Sequence, residues 1–233
     1  MKILANDGLS QNGIDALVAA GFSVETKTVP QDQLADAINQ EGYIGLLVRS
    51  ATTVRQPLID QCPNLKFIGR GGVGMDNIDV AYAREKGITV FNTPGSSSGS
   101  VAELVMTQLF DMVRFVYDSN RQMPVNGLAQ FGALKKKYGK GSELRGKTLG
   151  IIGFGRIGRT VASYALGCGM KVIATDRSPS NEPVELNIEG HGKVRVQVPM
   201  VSLDELLSQS DLITLHVPKQ DGGKAILGAD ELA

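Results

Sequence analysis

The chain has 233 residues, enough for two domains at the usual ~100–200 residues each, with 42% apolar and 21% charged side chains. Its 24 basic residues balance 24 acidic ones, so no global charge draws it to nucleic acid or to an anionic membrane. Cys62 and Cys168 are too few for a disulfide framework and point to a reducing, cytoplasmic setting, while no run nears the ~18 apolar residues of a helical membrane span and Met1–Asn6 is too short for a signal peptide.

The first ninety residues alternate strand and helix. Lys2–Ala5 reads as a strand, and Ser10 is placed to cap a helix carrying Ile14, Leu17 and Val18 that Gly21 closes. Phe22–Thr26 is a second strand, followed by a helix with Leu34, Ala35 and Ile38. Tyr43–Val48 is a third strand and Pro57–Cys62 a short helix. Leu65–Ile68 is a fourth strand, Ile78–Lys86 a helix stopped by Gly87, and Ile88–Phe91 a fifth strand. Such alternation predicts an α/β fold, a doubly wound parallel sheet with helices on both faces.

Ligands of such sheets sit outside the carboxyl ends of the strands. Arg49-Ser50-Ala51-Thr52 follows the third strand and Arg70-Gly71-Gly72-Val73-Gly74 the fourth, so both arginines are expected on the ligand edge. Glycines around Val73 can turn successive N–H groups into an anion nest, and arginine adds bidentate pairing. A lone arginine reads as a surface salt bridge; two at adjacent strand ends favour a small anionic ligand.

Asn92–Gly99, rich in Gly, Ser and Pro, is the best domain break, giving domains 1–95 and 96–233. Ser100-Val101-Ala102-Glu103 reads as a capping box opening a long helix through Leu104, Leu109, Met112 and Val116. Residues 121–146 read as an irregular, basic connector, and the lysines there come without the aromatic platform of a nucleic-acid surface.

Leu149–Thr160 (L-G-I-I-G-F-G-R-I-G-R-T) carries the strongest signal. A short apolar strand runs into Gly153, Gly155 and Gly158, and Ile157, Val161, Ala162 and Ala165 then recur at helical spacing. Strand, tight turn and helix are the context of the dinucleotide fingerprint G-x-G-x-x-G. The helix N-terminus offers unpaired N–H groups and partial positive charge to a pyrophosphate. Asp176 ends the next strand, Lys171–Thr175, 18 residues beyond Gly158, where the fingerprint wants a carboxylate for ribose hydroxyls. The same residues read as a P-loop lack its lysine.

Val184–Ile188 and Val194–Val198 alternate about the turn Glu189–Gly192, predicting a hairpin whose second arm continues into the third strand of the nucleotide sheet. His191 in that turn reads as exposed, and no metal-ligand cluster accompanies it. Ser202–Glu205 is another capping box, and Asp211–Val217 the fourth strand. In a sheet ordered 3-2-1-4, His216-Val217-Pro218 faces the Gly153 turn. His216 there is a candidate general base or a backbone contact to the cofactor. Ala229–Ala233 reads as the first turn of a helix, and the nucleotide sheet lacks its fifth and sixth strands. The chain is therefore expected to be part of a longer protein, and residues 1–233 alone are expected to aggregate or to melt without cooperativity; a sharp two-state melt of a monomer would contradict this.

Together these motifs resemble the D-isomer-specific 2-hydroxyacid dehydrogenase family, and within it the phosphoglycerate branch. The resemblance spans the chain: V-R-S-A-T (48–52), G-R-G-G-V-G-M-D-N-I-D (69–79), N-T-P (92–94), S-V-A-E (100–103), E-L-R-G-K-T-L-G-I-I-G-F-G-R-I-G (143–158), Asp176 and H-V-P (216–218). It implies a flavodoxin-like substrate domain completed by the C-terminal tail, a Rossmann domain, NAD as cofactor, and a homodimer built by the long helix after Ser100. It also implies that Arg49 and Arg70 contact substrate anions, and that backbone at Ser50, Ala51, Gly72 and Val73 holds the carboxylate. On the cofactor side, Arg156 and Ile157 meet the pyrophosphate, Asp176 selects NAD over NADP, and Val73, Val217 and Pro218 line the cofactor.

The chain departs from the family pattern at Ser97, where asparagine is usual, at Gln220 and Gly223, where threonines are usual, and in lacking the connector's tryptophan. The family's catalytic arginine, glutamate and histidine map beyond residue 233, and His216 does not match that histidine. The expected reaction is NAD-dependent oxidation of 3-phospho-D-glycerate to 3-phosphohydroxypyruvate at the entry to serine synthesis. The alternatives are a glyoxylate, hydroxypyruvate or D-lactate enzyme of the same family, or a non-enzymatic NAD-sensing protein.

Overall fold

The structure, a computed structural model, describes residues 1–218, 221–223, 225–229 and 231. Gln220 and part of the terminal turn expected at Ala229–Ala233 lie outside the described residues. The chain divides into two compact units, Met1–Ser97 and Ser98–Ala233.

The first unit follows the predicted alternation: β1 (Lys2–Ala5), α1 (Gln11–Ala19), β2 (Ser23–Glu25), α2 (Leu34–Glu41), β3 (Tyr43–Val48), α3 (Gln56–Gln61), β4 (Phe67–Arg70), α4 (Val80–Glu85) and β5 (Thr89–Asn92). Its strands pair in parallel in the order β2-β1-β3-β4-β5, the flavodoxin-like order with a switch point between β1 and β3. Ser10 caps α1, its hydroxyl accepting the Gly13 N–H.

Alternate strand residues Leu4, Leu46, Val48, Ile68 and Val90 bury one face of this sheet against Leu34, Ile38, Leu58, Ile59 and Ala83. On the other face Phe22, Phe67 and Phe91 form an aromatic row with centroids 6.3 and 6.2 Å apart. Gly45 and Gly69 make room for it, because a Cβ at either would strike a phenyl ring. That face is thinly covered: α1 buries no residue fully, and Phe91 is 46% exposed.

Several boundaries, those of β2, α3 and β5 among them, differ from the sequence expectation by a residue, and two further differences have a clear physical reason. Strand β4 begins at Phe67 rather than Leu65, because the Leu65 N–H is turned back onto the Cys62 carbonyl and the ladder with β3 pairs Gly45 with Phe67. Arg70 is consequently the last residue of the strand, opposite Val48 and Asn92, rather than the first of a loop. Helix α4 begins at Val80 rather than Ile78, because Ile78 forms a parallel bridge with Val54 and Asp79 stands at the N-cap.

The second unit holds α5 (Ser98–Arg114), α6 (Val116–Tyr138), β6 (Thr148–Ile152), α7 (Arg156–Gly167), β7 (Lys171–Thr175), a hairpin of β8 (Val184–Ile188) and β9 (Gly192–Val196), α8 (Leu203–Gln209) and β10 (Leu212–Leu215). Strands β10, β6 and β7 pair in parallel in that order. Leu149, Ile151, Val161, Ala162 and Ala165 bury the strand-turn-helix against Ala102, Met106 and Leu109 of α5.

Three expectations are corrected here. Helix α5 opens at Ser98, so Ser100 lies in its first turn and the Ser100–Glu103 box does not form. The irregular connector is largely helical. Phe115, at φ 55°, ends α5, and α6 then runs on past Pro124 with non-helical dihedrals at Gln130. Finally, the hairpin forms as predicted, Val184 opposite Val196, but its second arm does not become the third strand. That position is a single bridge in which Ala174 donates to the Pro199 carbonyl and accepts from the Val201 N–H, setting Met200 beside it. The hairpin thus occupies the crossover where a doubly wound unit carries a helix. Ser202 caps α8 by accepting the Glu205 N–H, one half of the expected box, while the Glu205 carboxylate accepts from the Gln209 amide.

Candidate functional site

In the second unit each fingerprint glycine has its own physical reason. Gly153 leaves β6 at φ 93°, and a Cβ there would lie 2.5 Å from the His216 carbonyl oxygen and 2.7 Å from Val217 Cγ1. Only glycine combines that dihedral with so close a strand neighbour. A Cβ at Gly158 would overlap the Gly153 carbonyl oxygen, so this glycine lets α7 lie directly on the turn. Gly155, the N-cap of α7, has nothing within 4 Å of its Cβ position; its surface is open to a ligand.

Asp176 stands where β7 ends, and its carboxylate reaches back to the turn. Oδ2 accepts the Phe154 N–H at 2.6 Å and Oδ1 the Ser178 N–H at 2.8 Å. Each carboxylate oxygen keeps acceptor capacity for a further donor. Asp176 lines a cavity of about 470 Å³ together with Gly153, Gly155, Arg177, His216, Val217 and Pro218. The switch-point rule therefore brings the H-V-P strand end to the glycine turn, as the strand order required.

Of the other cofactor-side candidates, Arg156 and Ile157 occupy the first turn of α7, Arg156 exposed and Ile157 half-buried, beside that cavity rather than lining it. Arg159 is committed elsewhere, donating to the carbonyls of Glu182 and Pro183 and thereby tying α7 to the start of the hairpin. His216 Nε2 lies 3.1 Å from the Thr214 hydroxyl, and burial pushes the imidazole below its usual pKa. It is a neutral ring near pH 7, with the donor or acceptor capacity of a contact residue.

In the first unit Arg49 and Arg70 both line a groove of about 810 Å³ at the carboxyl ends of the strands. The floor of that groove is the thinly covered face, with Leu47, Phe67 and Phe91, and its polar end carries Asp7, the two arginines and Thr93. Arg49 is exposed and its guanidinium has no ion pair among the described residues. Arg70 lies over Gly72, where a Cβ would meet its Nη1, and its Nε is buried with no hydrogen-bond partner among the described residues. A buried donor without a protein acceptor is costly.

Ser50, Ala51, Gly72 and Val73 do not line this groove, and their backbone groups divide in a way the sequence did not disclose. The Gly72 N–H is spent on the Thr93 hydroxyl at 2.9 Å, and the Asn92 amide fixes the Val73 carbonyl at 2.6 Å. Among the described residues the N–H groups of Val73 and Gly74 donate to no protein acceptor. In the other loop the N–H groups of Arg49 and Thr52 both turn onto the Asp7 carboxylate.

Desolvation raises the Asp7 carboxyl, but the Thr52 hydroxyl and those N–H groups outweigh it and hold Asp7 below its ordinary value of 3.8. Its stabilising contribution is therefore full above that value and is lost as pH falls through the lower, folded one. Asp7, Asn77, Asn92 and Thr93 are the site residues that pattern reading missed. For Asp7 a signal existed, since it follows the carboxyl end of β1 as Arg49 follows β3.

The fold and this strand-end geometry define an α/β protein with parallel sheets, one of them carrying a dinucleotide-type turn. Residues 3–215 match the family described as D-isomer specific 2-hydroxyacid dehydrogenase, catalytic domain, and the chain belongs to that family. It is 39% identical over 233 residues to a hydroxypyruvate reductase of Thermotoga maritima, covering 100% of this chain and 70% of the relative. It is 35% identical over 229 residues to a D-3-phosphoglycerate dehydrogenase of Archaeoglobus fulgidus, covering 98% of this chain and 40% of that one. Among solved structures, an acyclic imino acid reductase in complex with NADPH and D-Arg aligns at a TM-score of 0.76 and 28% identity, over 100% of this chain and 70% of that one.

Proposed function

We propose that the chain is the nucleotide- and substrate-binding core of an NAD-dependent dehydrogenase of D-2-hydroxy acids, with 3-phospho-D-glycerate as its substrate. The observation that carries the cofactor half is the cavity where the three-glycine turn, Asp176 and the His216–Pro218 strand end meet. Its residues fit a dinucleotide: Gly155 leaves backbone open to a phosphate, the first turn of α7 with Arg156 and Ile157 offers N–H groups, and Asp176 keeps acceptor capacity for ribose hydroxyls while repelling a 2′-phosphate. When bound, NAD supplies the hydride acceptor.

The substrate half rests on Arg49 and Arg70, two cations at adjacent strand ends, of which Arg70 carries a buried Nε with no hydrogen-bond partner among the described residues. The Val73 and Gly74 N–H groups in the loop after Arg70 donate to no protein acceptor among the described residues, which leaves them for a carboxylate. Loss of a hydroxyl proton and of a hydride also calls for a base and a carbonyl-polarising cation. In the family that the chain resembles, an arginine, a glutamate and a histidine that map beyond residue 233 take these roles. The exposed apolar residues of α5 and α6, among them Leu104, Phe110, Met112, Val125 and Leu128, support the homodimer that the resemblance implies, in a cytoplasmic setting.

The Thermotoga relative favours a second reading, a hydroxypyruvate reductase, because that match is higher in identity and spans more of the partner. The two arginines decide between them. In the full-length protein Arg70→Ala is expected to lower kcat/KM for 3-phosphohydroxypyruvate by about 10–100-fold, the worth of a charged hydrogen bond of ~1.5–3 kcal/mol, and to spare hydroxypyruvate relatively. Equal wild-type turnover of the two substrates, and equal losses in the variant, would assign the unphosphorylated substrate.

A further inference from the structure

Asp7 and Arg49 stand at the carboxyl ends of β1 and β3, the two strands that flank the switch point of the first sheet. The Asp7 carboxylate gathers the donors of one turn: the Arg49 N–H at 2.6 Å, the Thr52 N–H at 3.1 Å and the Thr52 hydroxyl. From the other side the Asn77 amide donates to the carbonyls of Arg49 at 2.8 Å and Thr52 at 2.7 Å. Asn6 completes the frame with a bond to the Thr52 hydroxyl at 2.9 Å. Both faces of the turn's backbone are thus held, while the Arg49 side chain extends from it without an ion pair of its own among the described residues. The carboxylate holds the peptide of Arg49 rather than its guanidinium, so it fixes where the cation stands without neutralising it by a salt bridge.

We propose that Asp7 is a positioning residue of the anion site: it sets the Arg49–Thr52 turn and so holds the Arg49 guanidinium at the switch-point edge. The proposal rests on the reading of Arg49 as a substrate contact. Three donors thus converge on one side chain and hold the turn at both of its ends. Because Asp7 acts through Arg49, the two residues should be energetically coupled.

The test is a double-mutant cycle in the full-length protein, read by calorimetric titration with 3-phospho-D-glycerate. Asp7→Ala and Arg49→Ala are each expected to weaken binding by about tenfold or more. The double variant should be no weaker than the poorer single one, with affinity for NAD unchanged in all three. Additive losses, or wild-type affinity in Asp7→Ala, would overturn the positioning role. Wild-type affinity in Arg49→Ala would instead remove the anion-site reading on which it rests, and with it the proposal. Should Asp7→Ala fail to fold, Asp7→Asn serves in the same cycle. It keeps the shape and one acceptor oxygen, and coupling to Arg49 of the same sign is expected.

Discussion

Gly153→Ala and Gly158→Ala should destabilise the protein, whereas Gly155→Ala should leave stability almost intact and damage nucleotide binding. At Gly153 the new Cβ meets two penalties. The dihedral of 93° is one that side chains resist, at roughly 1–2 kcal/mol, and the His216 carbonyl oxygen lies 2.5 Å away. At Gly158 the dihedrals are helical, and alanine would gain about 1 kcal/mol of helix propensity. The Cβ overlaps the Gly153 carbonyl oxygen, however, and backbone cannot rotate aside as a flexible side chain would. Overpacking of that kind costs about 1–3 kcal/mol and sometimes more. A net loss of about 2 kcal/mol at either position would lower Tm by roughly 4–8 °C. At Gly155 there is space for the methyl group and φ is −76°, so the melt should stay within about 2 °C of wild type. The same variant places a methyl group where a phosphate must approach, and its affinity for NAD should fall by tenfold or more, on the order of 1.4 kcal/mol. Paired melts and NAD titrations separate the three roles. Three equal Tm losses would mean that the turn is a packing feature without a ligand surface.

Asp176→Ala is the second variant with a large expected effect, and its sign differs between cofactors. Charged hydrogen bonds are worth about 1.5–3 kcal/mol, so loss of the ribose contact should weaken NAD binding by about 10–100-fold. A 2′-phosphate beside the native carboxylate is repelled, and that repulsion disappears in the variant. NADP affinity should therefore rise or hold while NAD affinity falls. The carboxylate also accepts the Phe154 N–H, so a modest drop in Tm should accompany the change. Equal losses for the two cofactors would reduce Asp176 to that structural bond. The contrast matters because the imino acid reductase that shares this fold was solved with NADPH.

The parts of this account that were legible in the sequence are those in which local pattern and tertiary demand coincide. Tyr43–Val48 is a continuous apolar strand and Lys171–Thr175 has an apolar, buried centre, and the structure returns the same bounds for both. Ser10 and Ser202 cap helices because each hydroxyl accepts an N–H of the first turn that follows it. The Ser100 box failed because the helix continues one turn further back. Helix α6 was illegible for a different reason: it carries a proline and two glycines, and Leu134 is its one residue that is clearly buried. Without a buried stripe no helical period is written into the sequence. Hairpin pairing was readable from alternation, but its relation to the parallel sheet was not, because a single bridge at Met200 leaves no strand-length pattern.

The same distinction holds at the site. The glycines and Asp176 form a motif with fixed spacing, so their meeting could be expected. Asp7 reaches Arg49 and Thr52 across more than forty residues, and only the register of β1 beside β3 brings them together. Arginine positions were legible; what holds them was not.

The central claim, that this chain forms the binding core of a D-2-hydroxy acid dehydrogenase, is tested most directly by following reduced nicotinamide absorbance in the full-length protein. The assay supplies NAD with 3-phospho-D-glycerate, its L-isomer and unphosphorylated D-2-hydroxy acids in turn. NAD-dependent turnover of the D-phosphorylated acid, well above that of the others, is the predicted result. Saturable NAD binding with no reduction of NAD on any of these acids would contradict the account and leave a nucleotide-binding protein without hydride transfer.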